Sequence, residues 1–209
     1  HTKEPETCIT LAFDLQVVAI GFLSCAVLKR GTRLFWKPFW EKGYEGASLT
    51  DLTQTMKISR PSLYSGFGDK ADLFDAALVR YAQTIGSAPL VAFEEEREID
   101  EAVHIFLSAS AKGNTHVNYP RGCLIVCCAT STAETAPKVR ERLKYLYLEL
   151  QKRLIKRFDV ETGLSAHISS LQRAVMMIDL ATGQAIRARL GWTEEELLKD
   201  VEIRIRSVL

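Results

Sequence analysis

The sequence predicts an all-α protein, on three observations. Apolar residues recur at helical spacing along the chain, while the alternation expected of strands is scarce. Glycine, proline and capping residues break that periodicity at regular intervals. Two short helical segments meet at a tight turn between residues 48 and 67. The expected architecture is an N-terminal three-helix unit holding a helix-turn-helix, followed by a larger helical domain. At 209 residues the chain can build one domain or two small ones with ample core.

Taken in order, residues 1–25 read as irregular or added sequence. A first helix covers 26–42 and ends at Gly43, a suitable residue just past a helix terminus. Pro38 lies inside that window, so this helix either bends there or restarts with Pro38 in its first turn. Ser48 caps a second helix, with Asp51 three residues on completing a capping box. It runs to about Met56. Ser59 caps a third, with Pro61 in its first turn. Asp69 caps a fourth, whose Leu73, Phe74, Ala77, Leu78 and Tyr81 share one face. A boundary at 86–95 then separates residues 26–86 from a second domain, 87–209. Helices are expected there at 97–112, 121–131, 135–160, 165–190 and 193–207, the last opened by the Thr193/Glu196 capping box.

Composition narrows the function classes. The chain is 47% hydrophobic and 25% charged, with a net charge of +1, as in ordinary soluble proteins. A surface for nucleic acid must therefore come from a local patch. Residues 29–70 carry eight basic side chains against four acidic ones, whereas 94–101 carry six acidic side chains against Arg97 alone. The five cysteines (Cys8, Cys25, Cys123, Cys127, Cys128) are odd in number and lack the spacing of a disulfide scaffold. They point to a reducing, cytoplasmic setting. The apolar run 17–28 is too short to span a bilayer and lacks the basic lead of a signal peptide, so no membrane partner is expected.

The helix-turn-helix carries the most specific chemistry. Leu49, Leu52, Met56, Ile58, Leu63 and Phe67 are spaced to pack its two helices together and onto the first. The opposite face of the third helix then shows Arg60, Ser62, Ser65 and Gly66. Arginine can fork onto a guanine edge and serine can bond a base or a phosphate. Glycine lets a backbone come close, and Tyr64 offers a hydroxyl to a phosphate. Lys70 at the start of the fourth helix makes an anion site with that helix's N-terminus.

The run Ser59-Arg-Pro-Ser-Leu-Tyr-x-x-Phe-x-x-Lys70-x-x-Leu73, with its lead-in Phe39-Trp-Glu-Lys-Gly-Tyr-Glu-Gly-Ala-Ser-Leu-Thr-Asp-Leu52, resembles the TetR family of transcriptional regulators. The match is strong over residues 39–81 and weaker at Pro120-Arg-Gly-Cys-Leu-Ile-Val126. The resemblance implies a homodimer of about nine helices per chain that binds double-stranded DNA at a palindromic operator, usually as a repressor. It also implies a C-terminal domain that dimerises and holds a small-molecule effector. Positions matching the family's DNA contacts are Ser48, Thr50, Ser59, Arg60, Pro61, Ser62, Tyr64, Ser65 and Gly66, and Lys70 matches its phosphate-contacting lysine. The chain departs from the family pattern before residue 39, where the region is apolar and Pro38 interrupts.

The remaining candidates are weaker. An effector in the 90–180 region is expected to meet Val103, His104, Phe106, Leu107, Cys123, Cys127 and Met177. The subunit seam is expected to form from the last two helices through Leu171, Val175, Ile178, Ala181, Ala185, Leu197, Val201 and Ile205. Cys123, Cys127 and Cys128, with His116, could sense oxidants or a soft metal. The plainer reading is a set of small buried side chains. The basic residues of 135–160 read as a solvated face. No phosphate loop, His-Glu-x-x-His or nucleophile elbow is present, so neither an enzyme nor a bound cofactor or metal is expected. Two alternatives stand beside the ligand-released regulator: a thiol- or metal-sensing regulator, and a helical interaction module without DNA binding.

Overall fold

The computed structural model describes residues 35–209. Regular structure among these residues is helical, in ten α-helices. Cys8, Cys25, the apolar run 17–28 and the expected start of the first helix at 26 lie outside the described residues.

The N-terminal unit is built on its caps. Helix α1 (Lys37–Gly46) starts with Pro38 in its first turn, where a missing N–H leaves no bond unmade. A helix start with Pro38 in the first turn is what the described residues show. Gly43 breaks α1 with a φ of +74°, a region open to glycine. In α2 (Leu49–Met56) the Ser48 hydroxyl accepts from the Asp51 amide while the Asp51 carboxylate accepts from the Ser48 amide. The turn into α3 (Arg60–Phe67) runs through Lys57, which adopts the left-handed conformation (φ 53°, ψ 43°) and closes α2 by donating to the Gln54 carbonyl. Ser59 caps α3 and Asp69 caps α4 (Lys70–Gln83), the latter with a full capping box. One apolar cluster binds all four helices: Phe39, Trp40, Leu52, Met56, Leu63, Phe67, Leu73, Phe74 and Tyr81 are buried together, with Leu49 and Ile58 packed at its edge.

Beyond α4 the sequence reading needs correction. The stretch expected to be a boundary carries a helix, α5 (Ala88–Glu95), entered through a 3-10 turn over Ile85–Ser87. Pro89 lies in its first turn, so it starts the helix rather than preventing it. The next helix, α6 (Ile99–Thr115), passes through Gly113, where an added side chain would meet nothing. The expected helix 121–131 is instead a π turn over Ile125–Ala129 followed by a 3-10 turn over Thr130–Ala133. Then come α7 (Pro137–Phe158) and α8 (Ser170–Arg189), the latter starting later than expected because Ser169 caps it. The final expected helix is split into α9 (Glu194–Leu198) and α10 (Val201–Val208). The break serves two destinations. Leu197 packs with Ala111 and Ala188, whereas Val201, Ile205 and Val208 join a second core with Leu90, Phe93, Val103, Phe106, Leu107, Met177 and Ile178.

The first core does not stop at α4: Leu124, Cys128, Ala129 and Val139 belong to it. Polar ties reinforce that junction. The Arg142 guanidinium of α7 donates Nε and Nη2 to the two carboxylate oxygens of buried Asp75 on α4, at 2.7 and 3.0 Å. Lys138 pairs with Asp72 one turn away.

Lys57 carries a local cost. A residue with a Cβ in the left-handed region is strained by about 1–2 kcal/mol, and glycine's greater chain entropy offsets part of the relief. The substitution Lys57→Gly is therefore expected to stabilise the protein by about 0.5–1 kcal/mol, read as a higher urea midpoint at unchanged slope.

Candidate nucleic-acid interface

The candidate residues lie on three helices, α2, α3 and α4, and their caps. Ser48 and Thr50 lie exposed at the start of α2, and Ser59, Arg60, Pro61, Ser62, Tyr64 and Ser65 are exposed on and before α3. The buried partners Leu63 and Phe67 anchor the opposite side of α3, so this polar face is what remains outside. Gly66 is half-exposed, and a Cβ built there touches nothing within 4 Å outside its own helix backbone. The chain's own packing therefore does not require glycine at 66.

The polar groups hold one another in place. Arg60 Nη2 donates to Thr50 Oγ1 at 2.9 Å, bridging α3 to α2. The Ser59 hydroxyl accepts from the Ser62 amide at 3.2 Å, and the two serine hydroxyls share a bond at 2.8 Å. Lys70 Nζ donates to the Glu45 carbonyl at 3.3 Å and lies 4.7 Å from the centre of the Tyr44 ring. That ring is itself wedged against Phe39 and Phe74, so the ammonium is held beside the exposed N-terminal end of the helix-turn-helix. Burial, then the nearby Asp69 and Glu45 charges, push the Tyr44 phenol above its usual range.

Lys42 supports the same edge. Its ammonium donates to Asp51 Oδ1 at 2.6 Å, while Ser48 occupies the other oxygen through both its amide and its hydroxyl. The Lys42 bond first, and the Ser48 bonds next, hold the Asp51 carboxyl down at about 2.

The expected effector residues do not line one cavity. Val103, Phe106, Leu107 and Met177 are sealed in the second core. Cys123 and Cys127 pack on the first. His104 faces outward, with Nδ1 3.7 Å from Glu101, in an open depression bordered by Asp100, Glu202 and Arg206. The seven positions are thus split between two closed cores and the surface.

The cysteines are spoken for. Tyr81 donates its hydroxyl to Cys123 Sγ at 3.3 Å, Cys127 donates to the Ala185 carbonyl at 3.6 Å, and Cys128 to the Trp40 carbonyl at 3.2 Å. Burial raises all three thiol pKa values, Cys128 to about 11. They are therefore protonated at neutral pH and poor nucleophiles. His116 packs against Tyr119. Among the described residues, no group of three or more His, Cys, Asp or Glu could hold a metal ion, and no helix is long and apolar enough to cross a membrane.

The positions expected at the seam differ in their burial within this chain. Ile178, Ala185, Leu197, Val201 and Ile205 are buried inside this chain, and Val175 and Ala181 are half-buried. Only Leu171 is well exposed. Other large apolar side chains left outside along and beyond the same helix are Ile186, Leu190 (75% exposed) and Trp192, with Ile203 on α10; Val117, Val160 and Leu148 are exposed elsewhere. Periodicity cannot tell the side of a helix that faces its own chain from the side that faces a partner, because both are apolar.

A braced helix-turn-helix with a polar recognition face, joined to a larger helical domain, defines a helix-turn-helix regulator. Comparison with known proteins specifies the kind. The profile of bacterial regulatory proteins of the tetR family matches residues 36–77. The chain is 27% identical over 168 residues to the HTH-type transcriptional repressor ComR of Escherichia coli, covering 78% of this chain and 80% of that one. A cysteine variant of the TetR family transcriptional regulator CifR, solved with 26 bp double-strand operator DNA, aligns with a TM-score of 0.76 at 29% identity, over 94% of this chain and 98% of that one. A TetR regulator from Chloroflexus aurantiacus shares the fold with a TM-score of 0.75 at 18% identity, over 88% and 95% of the two chains. Residues 36–77 thus match the tetR family, and most of the chain is similar to TetR-type transcriptional regulators.

The Lys42–Asp51–Ser48 arrangement sets a pH dependence. The Asp51 pKa is lowered by folding from about 3.9, so its contribution to stability is complete above about pH 4 and is lost as pH falls towards 2. The stability gap between wild type and Asp51→Asn should shrink over that window. In Lys42→Met the Asp51 carboxyl, followed by NMR, should titrate at higher pH than in the wild type.

Proposed function

We propose that this protein is a repressor that binds double-stranded DNA as a homodimer, with α3 in the major groove of each half of a palindromic operator. The observation that carries the reading is the exposed face of α3, Arg60 to Gly66, on a helix whose other side is locked into the core. On this reading Arg60, Ser62 and Ser65 meet base edges, Ser48, Thr50, Ser59 and Tyr64 meet phosphates, and Pro61 packs against the groove wall. Lys70 neutralises a phosphate at the α4 N-terminus. The residues 26–86 act as the DNA-binding domain and 87–209 as the effector and dimerisation domain. The operator complex of CifR, whose chain this one resembles end to end, supports the assignment.

A small-molecule effector would act by linkage, favouring a state in which the two recognition helices no longer match successive grooves. The Asp75–Arg142 and Asp72–Lys138 pairs support this reading, because a shift of α7 would be felt directly by α4. Dimerisation through α8 is supported by its exposed Leu171 and Ile186, with Leu190 and Trp192 exposed just beyond it. An isologous contact of that kind suits a two-fold palindrome. The burial and hydrogen bonding of Cys123, Cys127 and Cys128 favour this reading over the sensing alternative.

Three substitutions on the recognition face have separable outcomes. Arg60→Ala should relax base preference at one operator position by about 1–3 kcal/mol, whereas Lys70→Ala should weaken all duplexes alike and reduce the salt slope by about one. Gly66→Ala should stabilise the fold by about 0.5–1 kcal/mol yet weaken DNA binding, read by fluorescence anisotropy beside thermal melts. Unchanged binding in all three would remove α3 from the interface. At the seam, Ile186→Glu should yield a helical monomer by light scattering, and a dimer of wild-type mass would place the interface elsewhere.

A further inference from the structure

Gly43 does more than end the first part of α1. A helical bond from the Tyr44 amide to the Trp40 carbonyl requires helical dihedrals through residue 43, and Gly43 (φ +74°, ψ 176°) does not supply them. The Trp40 carbonyl is thereby freed from the helix, in a buried aromatic setting where an unpaired oxygen is costly. Two donors from the rest of the chain fill it. Arg189, on the last turn of α8, donates Nη2 at 3.2 Å, and Cys128 donates Sγ at 3.2 Å.

The same guanidinium continues outward. Arg189 Nη1 donates to the Arg121 carbonyl at 3.1 Å. The adjoining Gly122 is packed so closely on α8 that a Cβ would fall 2.8 Å from the Ala185 carbonyl and 3.2 Å from Arg189 Cβ. One side chain thus joins three segments far apart in sequence: α1 of the helix-turn-helix unit, the 121–122 loop, and α8, which carries the exposed Leu171 and Ile186. Among the described residues, its partners are these carbonyls and the Cys128 sulfur rather than a carboxylate. Part of the charge lies on the Trp40 carbonyl at a broken helix, where cations are favoured.

We propose that Arg189 is a positioning residue for DNA recognition, a strut that sets the angle of the helix-turn-helix unit relative to α8. In a homodimer built on α8, that angle determines the distance between the two recognition helices. The strut therefore decides which half-site spacing the dimer accepts. Loosening it spreads the unit over several orientations, and affinity falls with the fraction that still fits. This inference rests on the proposed binding of DNA.

The test compares wild type, Arg189→Met and Arg189→Lys. The probe is a duplex selected by the wild-type protein from a random-sequence pool, remade with spacers lengthened or shortened by one and two base pairs. Arg189→Met should bind the parent duplex roughly tenfold more weakly and with a flattened spacing profile. Arg189→Lys, which keeps the charge but lacks the guanidinium's fixed fork, should fall between. A purely structural role would lower the melting temperature and leave the spacing optimum as sharp as in the wild type, and that result overturns the proposal. Hydrogen exchange supplies a readout independent of DNA: amides of α1–α3 should exchange faster in Arg189→Met while those of α6 and α7 do not. Unchanged α1–α3 exchange also overturns it. Failure of the wild type to select any duplex would refute DNA binding instead, with the exchange comparison still deciding the strut.

Discussion

The burial of α1 in an aromatic cluster is the constraint on which the rest depends. Phe39 and Trp40 are fully buried. Phe39 lies 4.8 Å from Phe74, while the Trp40 ring is 5.1 Å from Tyr81 and 5.8 Å from Tyr119. Side chains of this size dominate the energetics of a core. Here they hold α1 between α4 and the segment after α6, so that α2 and α3 have a rigid surface to pack against. The polar face of α3 is oriented only because Leu63 and Phe67 are anchored in the same cluster.

That cluster also explains why the helix-turn-helix unit is not independent of the C-terminal helices. Leu124, Cys128, Ala129 and Val139 complete it from the C-terminal side. Around its edge lie directional ties: the forked Arg142–Asp75 pair, and the Trp40 carbonyl with its two donors. Apolar packing has little preference for angle, whereas a guanidinium fork and a capped carbonyl fix one geometry. The junction therefore combines a non-directional adhesive with directional struts, and a change in α7 or α8 has a route to α1 and α4. The thiols belong to this packing. Burial keeps them protonated, and those of Cys127 and Cys128 donate to carbonyls.

Legibility in the sequence tracked the range of the interactions. The caps at Ser48, Ser59, Asp69 and Thr193 were readable because each acts within three residues of itself. The core side of α2 and α3 was readable from the spacing of Leu52, Met56, Leu63 and Phe67. By contrast, α5 was hidden by Pro89, whose ordinary association with loops masked its role at a helix start. The π turn at Ile125–Ala129 has no local signal, since Cys-Leu-Ile-Val-Cys-Cys reads as any apolar helix. The effector and seam positions were not separable in the sequence for a common reason. An apolar residue in the C-terminal domain can face its own core, a cavity or a partner, and helical spacing is the same for all three.

By itself, the sequence determined the helical class, the boundaries of the helix-turn-helix and the polar residues left exposed on α3, because propensity, capping and amphipathic spacing are local. It also carried the family resemblance, in a specific run of residues from 39 to 73. The tertiary structure decided which apolar face of α8 is buried and which is left outside, why the last helix breaks in two, and that Arg189 reaches a carbonyl 149 residues away. Those outcomes depend on where distant segments meet, and a carbonyl freed by Gly43 becomes an acceptor for Arg189 only when α8 is packed beside it.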